Sequence, residues 1–138
     1  MAKVLLLVVE DDLMLARMYA DKLKSEGFEV DIAYDGFEGF EKMKLEKPSL
    51  VLMDIMMPNL DGLKTLEKAK KDPDIKDIPI IILTNLTGSS EMKQALREGA
   101  TGYIVKSEFT PAEVVKKIKD TLASSGKHRA DTAPKKQP

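Results

Sequence analysis

The sequence predicts an α/β domain, doubly wound, in which a five-stranded parallel sheet is covered by five helices. Three observations carry that prediction. Short continuous apolar runs alternate five times with stretches whose apolar residues recur at helical spacing, helix caps fall at the junctions, and four of the runs stop at polar side chains of complementary chemistry. Runs that are continuously apolar, without alternation, belong to strands buried on both faces, which is what helical crossovers on either side of a parallel sheet produce.

Taken in order, the first strand is expected over 4–9, and Leu15, Met18, Tyr19 and Leu23 then mark a helix that ends at Gly27. A strand over 28–32 leads to Asp35-Gly36, which opens a helix carrying Phe37, Phe40 and Met43. The third strand, 50–53, ends at Asp54 and is followed by Ile55-Met56-Met57-Pro58, a turn from Asn59 to Gly62, and a helix with Leu63, Leu66 and Ala69. The fourth strand, 78–83, precedes a helix marked by Met92, Ala95 and Leu96, with Gly99 at its C-cap. The fifth, 101–105, precedes Thr110-Pro111-Ala112-Glu113, a capping box with proline at the first helical position, and a helix bearing Val114, Ile118 and Leu122. The pattern stops after Ala123. Residues 1–123 are expected to form one domain, and 124–138 a disordered tail or the start of a linker.

Composition narrows the function classes. At 138 residues and 43% hydrophobic content, the chain can bury a core without staples. Its 22 basic and 23 acidic residues nearly cancel, so a generic nucleic-acid-binding face is not expected. Cysteine is absent, which removes disulfides and thiolate metal sites, and no apolar stretch approaches the ~20 residues of a membrane span. A cytoplasmic protein without membrane contact is the simplest expectation.

If the runs are parallel strands, the side chains at their ends collect on one rim: Glu10-Asp11-Asp12, Asp54, Thr84-Asn85 and Lys106-Ser107. Glu10, Asp11 and Asp54 together would repel one another, raising pKa values unless a cation sits among them. Oxygen ligands with no histidine or cysteine nearby favour a hard ion, Mg²⁺ over Ca²⁺. Asp11 and Asp12 both also suit a helix N-cap, and three acids in a row leave a register choice of one, with Asp12 the residue left for the cap if Asp11 turns to the cation. Asp54 is then the nucleophile for a phosphoryl group, with Lys106 holding one phosphoryl oxygen and Thr84 another.

These pieces resemble the receiver domain of two-component response regulators. The resemblance runs from about Lys3 to Ala123 and rests on Val8-Val9-Glu10-Asp11, on Leu52-Met53-Asp54-Ile55-Met56-Met57-Pro58 with Asp61-Gly62, on Ile82-Leu83-Thr84, and on Gly102-Tyr103-Ile104-Val105-Lys106. It implies a flavodoxin-like sheet of order 2-1-3-4-5, the order the chemotaxis regulators illustrate. It implies phosphorylation of Asp54 by a histidine kinase or histidine phosphotransfer protein. Mg²⁺ would be held by Asp11, Asp54, Glu10 through water, and the main-chain carbonyl of Met56. Thr84 and Tyr103 would act as the switch that couples the site to a face of helix 4, strand 5 and helix 5, where a downstream protein target docks. The resemblance leaves open a phosphorylation-dependent dimer. Tyr103 has an equally good bland role as a strand residue with its hydroxyl at the surface.

Two positions depart from the family pattern. Ser107 replaces the proline that usually follows the lysine, and since a cis bond before serine costs about 3 kcal/mol, the loop is either trans or strained. Asn85 replaces a smaller residue. Met56 and Leu86 would flank the path of an attacking water without being able to activate it, which predicts slow autodephosphorylation. Competing functions fit less well. A receiver-like interaction module acting without phosphorylation does not need the full set of Asp11, Asp54, Thr84 and Lys106. An aspartate-dependent phosphatase needs an acid where Met56 stands, and a flavin carrier needs its phosphate loop after the first strand.

Overall fold

The computed structural model describes residues 4–55, 57, 61–85 and 90–132, with only the backbone for 125–132. Its elements follow the predicted alternation: β1 (Leu5–Val9), α1 (Leu13–Ser25), β2 (Glu29–Ala33), α2 (Gly36–Glu46), β3 (Leu50–Asp54), α3 (Gly62–Lys71), β4 (Ile80–Thr84), α4 (Ser90–Glu98), β5 (Gly102–Val105) and α5 (Pro111–Thr132). All four strand pairings are parallel, and the order is β2-β1-β3-β4-β5. The chain winds one way from β1 and the other way from β3, so the carboxyl ends of β1 and β3 lie at the switch point.

Strand alternation divides the core into two layers. Leu7, Val9, Val51, Met53, Ile80 and Ile82 face Met43 of α2, Leu66 and Ala69 of α3 and Ala95 of α4. Their neighbours Leu6, Val8, Leu50, Leu52, Ile81 and Leu83 face Tyr19 and Leu23 of α1 and Val114, Val115 and Ile118 of α5. Each fully buried aliphatic side chain contributes about 1.5–3 kcal/mol, and this holds the rim's charged groups in place. Phe37 and Leu96, expected at helical spacing, lie at the margin of their stripes and are exposed.

The capping signals are realised. Asp12 and Asp35 accept from the backbone N–H groups of Leu15 and Glu38, and Thr110 and Glu113 bond reciprocally at 3.2 and 2.8 Å. Gly27 and Gly99 have φ of 99° and 113°, left-handed values that a side chain would strain.

Two boundaries differ from expectation. β4 begins at Ile80, not at residue 78, because Pro79 has no N–H to donate, although its carbonyl accepts from Val51 at 2.9 Å. Helix α5 continues to Thr132, past Ala123, where the apolar pattern and the expected domain end. Loss of a buried stripe removes stabilisation but does not break a helix, and the first proline after the capping box is Pro134. Residues 133–138 of the expected tail lie outside the described residues.

Candidate functional site

Adjacent parallel strands in register bring their ends together. Val9 pairs with Met53, Asp54 with Leu83 and Thr84 with Val105, so Glu10, Asp54, Thr84 and Lys106 meet on one rim. Lys106 is tied to the fourth strand by its backbone N–H, which donates to the Thr84 carbonyl at 2.7 Å. Because Asp12 is occupied as the α1 cap, the remaining acids of the first loop are Glu10 and Asp11.

The centre of the site is a lysine between two buried acids. Lys106 Nζ lies 2.8 Å from Glu10 Oε1 and 2.9 Å from Asp54 Oδ2. Only the contact with Asp54 is aligned as a hydrogen bond, so Glu10 Oε1 has a charge beside it but no hydrogen bond among the described residues. The other Glu10 oxygen accepts from the Asp12 N–H at 3.1 Å. Side-chain exposures are 14% for Lys106, 1% for Glu10 and 7% for Asp54, which puts all three largely out of water.

Burial pushes the Glu10 carboxyl up to about 7, with the Asp54 charge adding to the rise and Lys106 and the Asp12 N–H opposing it. Burial also works to lower the Lys106 pKa, but the combined pull of Glu10 and Asp54 outweighs it and the value is raised. Repulsion from Asp54 thus adds to the rise at Glu10, with burial the larger cause.

The acids suit a divalent cation. Glu10, Asp11 and Asp54 each offer a carboxylate oxygen, all within 4.8 Å of one another, and a single lysine opposes them. Asp11 is exposed, so the cluster opens to solvent on its side. An all-oxygen set with one open flank, and a buried Glu10 oxygen whose partner among the described residues is the Lys106 charge alone, fits Mg²⁺. The expected fourth contributor, Met56, lies outside the described residues, as does Leu86.

Gly62 packs against the backbone that carries Asp54. Its N–H donates to the Ile55 carbonyl at 2.8 Å, bringing the start of α3 back against the end of β3. A Cβ at this position would stand 2.6 Å from Ile55 Cα and still closer to the Asp54 carbonyl, so only glycine permits the approach. Asp61 caps α3 by accepting from the Lys64 N–H.

Thr84 is buried at the end of β4, and Tyr103 is half-buried on β5, packed against the layer that includes Ala95 of α4. Asn85 is exposed, and the peptide bond between Lys106 and Ser107 is trans, as are all others among the described residues. The direct pairing of Glu10 with Lys106 was not anticipated from sequence, which assigned the two to separate partners. Nor was the proximity of Tyr19, a helical-face residue whose buried phenol has a raised pKa, chiefly through desolvation, and feels the charges of Lys106, Glu10 and Asp54.

Comparison with known proteins agrees with this fold. The response regulator receiver domain family matches residues 6–119. The probable transcriptional regulator ycf27 of Cyanophora paradoxa is 38% identical over 117 residues, which make up 85% of this chain and 47% of that protein. The CheY-like receiver domain protein of Methanospirillum hungatei JF-1 has a TM-score of 0.85 at 31% identity, over 92% of this chain and 99% of that one. Chemotaxis protein CheY4 of Vibrio cholerae gives 0.80 at 28% identity, over 86% and 98%. The chain spans about half the length of the curated relatives it matches, 47%, 49% and 56% for three of them.

Proposed function

The chain belongs to the response regulator receiver family, and from that premise we propose that Asp54 accepts a phosphoryl group from a histidine kinase or histidine phosphotransfer protein. The observation that carries this is the contact of Lys106 with Asp54 on a rim where Glu10, Asp11 and Asp54 converge. In the transfer, an Asp54 carboxylate oxygen forms a bond to phosphorus as the donor's N–P bond breaks in line, and the donor imidazole leaves with the electron pair. Lys106, already anchored at 2.9 Å, holds the developing phosphoryl charge as a fixed cation. The Thr84 hydroxyl takes a second oxygen.

Glu10, Asp11 and Asp54 would hold Mg²⁺, with the Met56 carbonyl implied by the family resemblance, and the ion would supply neutralisation of the phosphoryl oxygens. Lys106 leans on both acids, so an ion held by Asp11 and Asp54, with Glu10 through water, would share the pull on Glu10 and leave the ammonium to the phosphoryl group.

Thr84 and Tyr103 form the output switch. Thr84 is paired with Val105 in β5, and Tyr103 with Ile82, so a movement of Thr84 toward a phosphoryl group passes along this strand pair. The face of α4, β5 and α5 then changes shape for a downstream protein target.

The reading is tested by incubating the chain with acetyl phosphate and Mg²⁺, reducing the product with borohydride and mapping peptides. Conversion of Asp54, and of no other aspartate, to homoserine supports it. Homoserine at Asp11 or elsewhere, or none at all with a phosphohistidine donor either, contradicts it.

A further inference from the structure

β2 is an edge strand, with only β1 beside it among the described residues. The Glu29 N–H donates to Val4 and the Ala33 carbonyl accepts from Glu10, so odd-numbered residues of β2 turn their main-chain groups to β1. The alternate residues Val30, Ile32 and Tyr34 turn theirs outward. A row of outward N–H and C=O groups is a template for another strand.

Here three successive outward groups are occupied by charged side chains. The Ile32 N–H donates to Asp31 Oδ1 at 2.8 Å, the Ile32 carbonyl accepts from Lys42 Nζ at 2.7 Å, and the Tyr34 N–H donates to Glu38 Oε1 at 2.7 Å. Lys42 Nζ also lies 3.1 Å from Asp31 Oδ1 and 3.4 Å from Glu38 Oε2, so one lysine of α2 ties the two acids together. Beside this row Tyr34 and Phe37 are exposed, which gives this end of the strand an apolar character.

We propose that Asp31, Lys42 and Glu38 form a charged clasp that keeps the β2 edge from pairing with the β2 edge of a second copy of this chain. An identical edge is the natural occupant. Two copies related by a two-fold axis meet antiparallel and satisfy each other's outward groups reciprocally, and Tyr34 and Phe37 of each flank the contact. Burial acts to lower the Lys42 pKa, but Asp31 and Glu38 outweigh it, so the clasp stays charged at neutral pH. Asp31 also raises the Glu46 carboxyl, whose shift comes first from burial. No rim residue takes part, so the clasp stands apart from the phosphoryl chemistry.

The test uses the full chain without phosphodonor, comparing wild type, the triple variant Asp31→Ala/Glu38→Ala/Lys42→Met, which frees all three outward groups without leaving an unpaired charge, and, as a control, Lys116→Met from an exposed helical ion pair with Asp120. Sedimentation velocity over a concentration series is combined with amide hydrogen exchange. The triple variant is expected to strengthen self-association at least about tenfold. Protection should rise with concentration at the Val30 and Ile32 amides, while wild type and Lys116→Met stay monomeric. If circular dichroism shows that the triple variant does not fold, Asp31→Ala/Lys42→Met takes its place. The proposal is overturned if the folded variant remains monomeric throughout, if its association protects a surface other than β2, or if wild type already pairs through this edge.

Discussion

A lysine between two acids recurs among the described residues, and at two of these places, the rim and the sheet edge, it has opposite consequences. At the rim, Lys106 touches Glu10 and Asp54 with side-chain exposures of 14%, 1% and 7%; at the sheet edge, Lys42 touches Asp31 and Glu38 with exposures of 24%, 36% and 39%. The edge motif binds main-chain groups with all three of its side chains. The rim motif has a third acid nearby, Asp11, and a Glu10 oxygen that meets only the Lys106 charge among the described residues. Chemistry follows from that imbalance: buried charges in excess call for a cation and a ligand, whereas half-exposed charges that match the backbone around them only hold structure.

The comparison can first be broken by removing each lysine. In urea denaturation with EDTA, Lys106→Met is expected to lower stability by about 3 kcal/mol, because it leaves two buried acids without their cation. Equal losses for Lys106→Met and Lys42→Met would end the distinction.

The second prediction concerns Glu10. Its folded-state pKa of about 7 lies above the ordinary 4.5, so between those values the folded protein keeps a proton that the unfolded chain has released. Stability on this account is highest below the lower value and falls as pH rises to the upper one, where the loss is complete. Glu10→Gln should therefore match wild type in acid and exceed it by about 1–3 kcal/mol in metal-free alkaline buffer. Parallel stability curves against pH would contradict the assignment.

Mg²⁺ binding sharpens the same point at smaller scale. An ion held with the help of Glu10 would need it as carboxylate, so affinity should climb by at most roughly tenfold per pH unit and level off once the Glu10 pKa is passed. Calorimetry in buffers of different ionisation enthalpy should register up to one proton released per ion below that point. An affinity independent of pH would place the ion away from Glu10. The smallest effect belongs to the edge: Lys42→Met in dilute solution should change stability by at most about 1 kcal/mol, since its partners are partly solvated.

What could be read from the sequence follows the range of each interaction. Caps such as Asp12, Asp35 and the Thr110–Glu113 box act within four residues, and the sequence reading located them. The rim was legible because parallel strands must end together, and that alone brings Asp54 and Lys106, 52 positions apart, into contact. The lean of Lys106 onto Glu10 was not legible, because it depends on side-chain reach across two neighbouring strands. Neither was the clasp, in which Lys42 reads as an ordinary helix-face lysine until α2 packs over β2. The extent of α5 was missed for a different reason, since periodicity reports burial and the helix outlasts its buried stripe.

The most direct measurement follows phosphorylation of wild type, Asp54→Asn, Lys106→Met and Lys42→Met side by side, by intact mass after acetyl phosphate and Mg²⁺. The account predicts a gain of about 80 Da in wild type and, at the same rate, in Lys42→Met. It predicts a slowing of about 10²-fold or more in Lys106→Met, and no gain in Asp54→Asn. A gain in Asp54→Asn, or equal rates in the two lysine variants, would contradict it.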